Sequence, residues 1–145
     1  MKRSLIALAG FTLLGTTAAY ADGHCLNATL RGKYVVQASG TIVGVGPVAV
    51  VAIFNYDGNG NLTETAYQKL NGNYSQITAS GTYAVDDSCV VTDTLLTPAG
   101  QSITHTAVII DHGKKFYILN TTPPTATTGN VTSGVGEKQF PNDLE

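Results

Sequence analysis

The chain has 145 residues, 43% of them hydrophobic, and a formal net charge of −2 at pH 7 from only 12% charged residues. This length suits one domain whose core is large enough to need no metal ion for stability. The lysines and arginines form no cluster after residue 3. This distribution excludes the basic surface typical of proteins that bind nucleic acids or anionic membranes.

The N-terminal stretch MKRSLIALAGFTLLGTTAAYA has the three parts of an export signal. Lys2 and Arg3 give it a positive start, an apolar run follows, and the tripeptide AYA supplies small residues for cleavage. The apolar run is shorter than the roughly 20 residues that span a bilayer, so we expect that this protein is not an integral membrane protein. We predict a signal peptide at residues 1–21 and one exported domain, periplasmic or extracellular, at residues 22–145. Without Lys2 and Arg3 the domain has six basic and ten acidic residues, a net charge of −4.

Two cysteines, Cys25 and Cys89, fall in the exported part, where the environment permits oxidation. We predict a disulfide between them that holds the N-terminal segment against the wall of the domain. Neither cysteine belongs to a CxxC or CxxxH pattern, which argues against a metal site or a thiol nucleophile. We expect no metal and no other cofactor.

Residues typical of turns recur along the whole exported part, and runs rich in β-branched and aromatic residues separate them. This pattern predicts eight strands and no substantial helix. The expected ranges are 33–43, 47–56, 61–70, 74–85, 89–96, 101–110, 115–121 and 129–139. Strands linked by successive hairpins favour a single all-β, antiparallel up-and-down barrel, because closure removes the exposed edges of a flat sheet. An eight-stranded barrel has room for packed side chains or for one small ligand.

The stretch DGNGN at residues 57–61 has the composition of a calcium loop as well as that of a turn. An EF-hand loop starting at Asp57 needs glycine at its sixth position and glutamate at its twelfth. Leu62 and Gln68 occupy those positions. Asp, Asn and Gly also tolerate the positive φ angles of hairpin turns. We therefore predict a turn between two strands.

The faces of the second strand follow from the register of this turn, because residues paired across a hairpin share a face. A two-residue turn at Gly58-Asn59 pairs Ile53 with Glu64 and turns Ile53 inward. It places an apolar strip on the outside of the barrel, made of Val48, Val50 and Phe54. We expect this strip to form a homo-oligomer contact, or to be covered by the N-terminal segment or the segment around Pro123-Pro124.

The turns at Asn71-Gly72 and His112-Gly113 place polar side chains inside the barrel. They turn Glu64 and His105 inward, as the two candidates for acid–base catalysis. Five residues form the predicted ligand-binding set: Tyr83, Glu64, His105, Asn120 and Phe116. A buried carboxylate or imidazole costs several kcal/mol unless it is paired, so such groups suggest catalysis or ligand orientation. The alternative is that Glu64 reaches water near a strand end and a backbone carbonyl satisfies His105.

Several stretches of the sequence resemble stretches of a known group of proteins: LRGKYVV, VAIFNYDGNGNLT, GTYAVDDSCVVT, IIDHGKKFYIL and GNVTSGVGEKQ. Together they resemble small exported bacterial proteins of the lipocalin-like (calycin) or allene-oxide-cyclase-like barrel type. Gly32-Lys33-Tyr34 is similar to the Gly-x-Trp of the first lipocalin strand, with tyrosine in place of tryptophan. The resemblance implies an eight-stranded barrel and assigns no catalytic residue.

Three functions remain open at this point. The barrel could bind a small apolar or amphipathic ligand, which we favour. It could be an interaction module with a filled interior and a partner on the outer strip. It could also be a cyclase or isomerase in which Glu64 or His105 moves a proton. An empty apolar cavity would favour the first and third functions, and a packed interior the second.

Overall fold

The computed structural model describes residues 24–122 and 130–140. Within these ranges the chain forms eight strands, each paired with its neighbour in sequence. They are β1 (Arg31–Ile42), β2 (Gly46–Asp57), β3 (Asn61–Leu70), β4 (Asn73–Val85), β5 (Val90–Leu96), β6 (Ser102–Ile110), β7 (Lys115–Asn120) and β8 (Asn130–Lys138). All eight predicted strands are present, with bounds that differ by at most two residues. The predicted signal peptide, residues 1–21, and Pro123-Pro124 lie outside the described residues.

The sheet closes because β8 pairs antiparallel with β1, from Tyr34 opposite Lys138 to Ile42 opposite Asn130. The predicted all-β up-and-down barrel is therefore confirmed. Closure gives every strand one inward face, and side chains alternate between that face and the outside. Neither of the two single-turn helices among the described residues is long enough to cross a bilayer.

The hairpin between β2 and β3 confirms the predicted turn and corrects its register. Gly58, Asn59 and Gly60 together form a three-residue connection, so Phe54 pairs with Glu64, and Ile53 pairs with Thr65. Gly60 supplies the extra residue with a φ of 107°. The Asp57 carboxylate accepts backbone N–H groups from Asn59 at 2.7 Å and Asn61 at 2.9 Å, so it stabilises the turn itself.

This single residue inverts the predicted faces of β2, because a shift of one position moves each side chain to the opposite face. The expected outer strip of Val48, Val50 and Phe54 is wrong. Val48 and Phe54 are only 5% and 2% exposed, and Val50 packs against the core. Ile53, which was expected inside, lies on the outer surface together with Val51. The oligomer contact proposed for the strip has no structural basis.

The N-terminal segment closes one end of the barrel. The predicted disulfide between Cys25 and Cys89 is present and joins this segment to the turn between β4 and β5. Leu30 is fully buried, and the Tyr83 hydroxyl lies 2.9 Å from the carbonyl oxygens of Asn27 and Leu30. The segment therefore covers the end of the barrel with an apolar side chain and a satisfied backbone.

Aromatic side chains fill the barrel above this cover. The Tyr56 ring centroid lies 5.5 Å from that of Tyr34 and 4.9 Å from that of Tyr83, both in edge-on contacts. Phe116 is fully buried beside Tyr34, and the Tyr34 hydroxyl donates a hydrogen bond to the carbonyl of Gly113. Large rings leave little free volume, so this half of the barrel is a packed core.

Replacing Cys25 and Cys89 together by serine should lower the free energy of unfolding by about 4 kcal/mol, because the disulfide spans 64 residues and restricts the unfolded chain. Urea denaturation of the oxidised protein and the double variant measures the difference. Wild-type protein in reducing agent should unfold at the same urea concentration as the variant. Equal midpoints for oxidised and reduced protein would contradict the assignment.

Candidate functional site

A cavity of about 370 Å³ occupies the half of the barrel away from the disulfide. It lies between the C-terminal parts of β1, β3 and β7 and the N-terminal parts of β2, β4, β6 and β8. Its apolar wall consists of Val36, Ala38, Ile42, Val48, Val50, Ala52, Phe54, Ala66, Ile77, Ile103 and Ile118. Gln101 and Ser102 also line the cavity and are exposed, so they mark its outer end.

The floor of the cavity carries its ionisable groups. Glu64 and His105 are the innermost lining residues of β3 and β6. Phe54 pairs with Glu64 across β2 and β3, and its ring centroid lies 5.7 Å from that of His105. The next inward positions along the barrel belong to the packed aromatic half, beginning with Tyr56. The two residues predicted to point inward therefore do so, where the cavity meets the core.

Asp93 holds His105 in place. His105 Nδ1 lies 2.9 Å from Asp93 Oδ1, and the backbone N–H of His105 donates to the same oxygen at 3.1 Å. The two residues face each other directly across β5 and β6. The side chain of Asp93 is 2% exposed and that of His105 is 10% exposed. Since a carboxylate can only accept, Nδ1 carries the proton and Nε2 makes no hydrogen bond with another described residue.

Sequence reasoning missed Asp93. The alternation within VVTDTLL puts Asp93 on the same face as Val91 and Leu95, which are both buried. This period of two could have marked Asp93 as an inward carboxylate. Its partner depends on the register of the five-residue connection between β5 and β6, which contains Pro98 and Gly100 and which composition alone does not fix.

Glu64 has no such partner. The residue is 8% exposed, and its Oε2 is buried without a hydrogen bond to any described residue. Burial raises the pKa of Glu64, and the charge of Asp93 acts in the same direction, while that of His105 partly opposes it. For His105, burial lowers the pKa, but the hydrogen bond with Asp93 and the charges of Asp93 and Glu64 outweigh burial and raise it. Both groups therefore have a higher pKa in the folded protein than in water.

Tyr56 extends the polar cluster into the core. Its hydroxyl is buried and has no hydrogen-bond partner among the described residues. Burial and the neighbouring charge of Asp93 raise its pKa well above that of an ordinary tyrosine, so the phenol stays protonated. Tyr56 therefore remains a neutral donor at the lower side of the cluster.

The remaining predicted ligand-binding residues divide between the two halves of the barrel. Asn120 lies opposite His105 on β7 and lines the cavity. Tyr83 and Phe116 lie in the closed half, where Tyr83 binds the N-terminal segment and Phe116 packs against Tyr34. Their role as ligand contacts stays a prediction, and the cavity wall as described does not include them. Within 24–122 and 130–140, no group of three or more His, Cys, Asp or Glu residues could hold a metal ion.

Glu64→Gln should stabilise the protein by about 1 to 3 kcal/mol at pH 7 to 8, because it removes a buried charge without a partner. A raised pKa in the folded state means that ionisation of Glu64 opposes folding. The gain should therefore vanish below the ordinary glutamate pKa of 4.5, grow as the pH rises from there to the higher folded pKa, and stay constant above it.

Urea denaturation at several pH values measures this gain, with Asp87→Asn as the control, because Asp87 is exposed and its carboxylate pairs with no other described residue. A gain that does not change with pH would show that Glu64 is not the titrating group.

Comparison of the chain with protein families, with curated proteins and with solved structures finds no match in any of the three. The coarse likeness to lipocalin-like barrels therefore consists of the closed antiparallel sheet of eight strands.

Proposed function

We propose that this protein is an exported barrel that binds a small amphipathic molecule in its cavity, with the polar end of the molecule at Glu64 and His105. The observation that carries the proposal is a cavity of about 370 Å³, lined about half by apolar and half by polar side chains, with a glutamate at its floor whose Oε2 is buried without a hydrogen bond to any described residue. Binding sites for small molecules typically have such a volume and combine apolar walls with polar groups that fix the orientation of the ligand. The disulfide supports an oxidising, exported location.

The walls and the floor favour different parts of one ligand. Between floor and outer end the inward side chains of β2 and β3 include Val50, Ala52 and Ala66, which offer only apolar surface. Burying an apolar body there contributes about 25 cal/mol for each Å² removed from water. At the floor, a polar end satisfies groups that are otherwise buried without partners. An amphipathic ligand with its polar end inward meets both conditions. The resemblance of the sequence to lipocalin-like barrels also supports a barrel that binds a ligand.

An interaction module with a filled barrel is the weaker proposal. It requires a packed interior and an apolar outer strip made of Val48, Val50 and Phe54. The cavity contradicts the first requirement, and the inward direction of Val48, Val50 and Phe54 contradicts the second.

Filling the cavity should abolish binding. Ala66 is 4% exposed and lines the wall, so Ala66→Phe places a ring in the cavity. We expect the affinity for the uncharged dye N-phenyl-1-naphthylamine to fall by at least about tenfold, a loss of 1.4 kcal/mol or more. Dye fluorescence measures the affinity, and thermal unfolding checks that the variant folds.

The matched control is Ala84→Phe, which puts the same ring on the outward face of β4. It should leave dye binding unchanged. Equal affinity in both variants would place the dye outside the cavity and contradict the proposed function.

The Asp93–His105 pair favours a second candidate, an isomerase. With Nδ1 bound to Asp93, His105 Nε2 is available as a base toward the cavity. In a β,γ-unsaturated ketone, Nε2 would take a proton from the carbon between the carbonyl and the double bond. Protonated Glu64 would donate a hydrogen bond to the oxygen of the enolate. Return of the proton to the γ carbon would complete the shift of the double bond without any co-reactant.

Oct-4-en-2-one tests this candidate, since its conjugated isomer absorbs ultraviolet light. Isomerisation should be faster with the protein than with buffer, and His105→Gln should slow it by about 100-fold, the usual contribution of a general base. Asp93→Asn should keep some activity and shift its pH profile to lower pH, because His105 loses the group that raises its pKa. Equal rates for wild type and His105→Gln would rule out this mechanism.

A further inference from the structure

We propose that the polar end of the ligand is a protonated amine, held by Glu64 and by Nε2 of His105 at the floor of the cavity. This inference rests on the proposed binding function and narrows its ligand to amphipathic amines. It follows from the charges around the cavity, from the unpartnered atoms at its floor and from the depth of the cavity.

The charges facing the cavity favour a cation. Of the described residues that line it, none is a lysine or arginine, and the ionisable ones are Glu64 and His105. Asp93 lies opposite His105 on the neighbouring strand β5, 2.9 Å from its Nδ1. With both carboxylates ionised, the three groups carry a net charge of −1 when His105 is protonated and −2 when it is neutral. A ligand with a carboxylate or phosphate end would be repelled, whereas an ammonium group would neutralise this charge.

The unpartnered atoms match the donors of an ammonium group. Oε2 of Glu64 is buried and has no hydrogen-bond partner among the described residues, although the residue lines the cavity. Neutral His105 offers Nε2 as a second acceptor, because Asp93 fixes the proton on Nδ1. An ammonium group has three donors and can serve both acceptors, while an alcohol has one donor and leaves the carboxylate charge uncompensated.

Binding of an amine should release protons. The groups that face Glu64 are His105 on β6, Asp93 on β5 and Tyr56 on β2, and none of them is a lysine or arginine that would keep the carboxyl ionised. Glu64 and His105 both have raised pKa values in the absence of ligand. An ammonium group stabilises ionised Glu64 and neutral His105, so it displaces protons from the floor, and binding weakens as the pH falls.

The depth of the cavity sets the length of the apolar part. From Glu64 at the floor to Gln68 toward the outer end, β3 advances four residues, or about 13 Å along the strand. Strand tilt of about 40° shortens this to about 10 Å along the barrel axis. This distance suits an extended chain of about eight carbon atoms, which makes the eight-carbon series a suitable set of probes.

Titration calorimetry with n-octylamine, 1-octanol and octanoate at pH 7.5 tests the inference, with each probe below its aggregation concentration. We expect octylamine to bind at least tenfold more tightly than octanol, and octanoate more weakly than octanol. In Glu64→Gln the preference for octylamine over octanol should fall below threefold, while Glu137→Gln, at an exposed carboxylate, should keep it. Repeating the octylamine titration in buffers of different ionisation enthalpy should show net proton release.

The possible failures are distinguishable. If octanol or octanoate binds as tightly as octylamine, the binding function stands and the amine inference is overturned. The same holds if octylamine binds without proton release, or if Glu64→Gln keeps its preference for the amine. If none of the three probes binds, the proposed binding function is overturned together with the inference.

Discussion

The pairing of β8 with β1 is the constraint on which the rest of the structure depends. An open sheet would let polar side chains on either face reach water, but a closed one assigns each position to an interior or an exterior. Glu64, Asp93 and His105 are therefore buried by topology rather than by any choice of rotamer. The cost of burying these three ionisable side chains is unavoidable once the backbone hydrogen bonds close the sheet. The stability of the whole barrel has to offset this cost.

Side-chain size then divides the interior into two halves. Tyrosine and phenylalanine occupy inward positions near the N-terminal segment, and the resulting ring contacts fill that half. Alanine and valine occupy the equivalent positions of β2 and β3 further along the barrel, where the cavity lies. The same backbone thus supports a core at one end and a pocket at the other. The ionisable groups lie at the boundary between the two halves. There the packed core holds their side chains in place, and the cavity makes them accessible to a ligand.

The sequence allowed the strands, the barrel and the inward direction of Glu64 and His105 to be predicted, because turn residues and period-two alternation are local signals. It misled at β2, where one additional residue, Gly60, inverted the faces. Asp93 was not found, since its contact with His105 depends on the register of a longer connection. The cavity itself could not be predicted, because free volume results from how all eight inward faces fit together.

The disulfide-bound segment at one end has a kinetic consequence. Among the described residues, Leu30 and the aromatic rings obstruct that end, so a molecule bound in the cavity would enter and leave past residues such as Gln101 and Ser102 at the other end. In a passage with one opening, an incoming molecule cannot push out the occupant, and exchange has to wait for spontaneous departure. Under the proposed binding function, the rate of ligand exchange would then be independent of the concentration of a competing molecule.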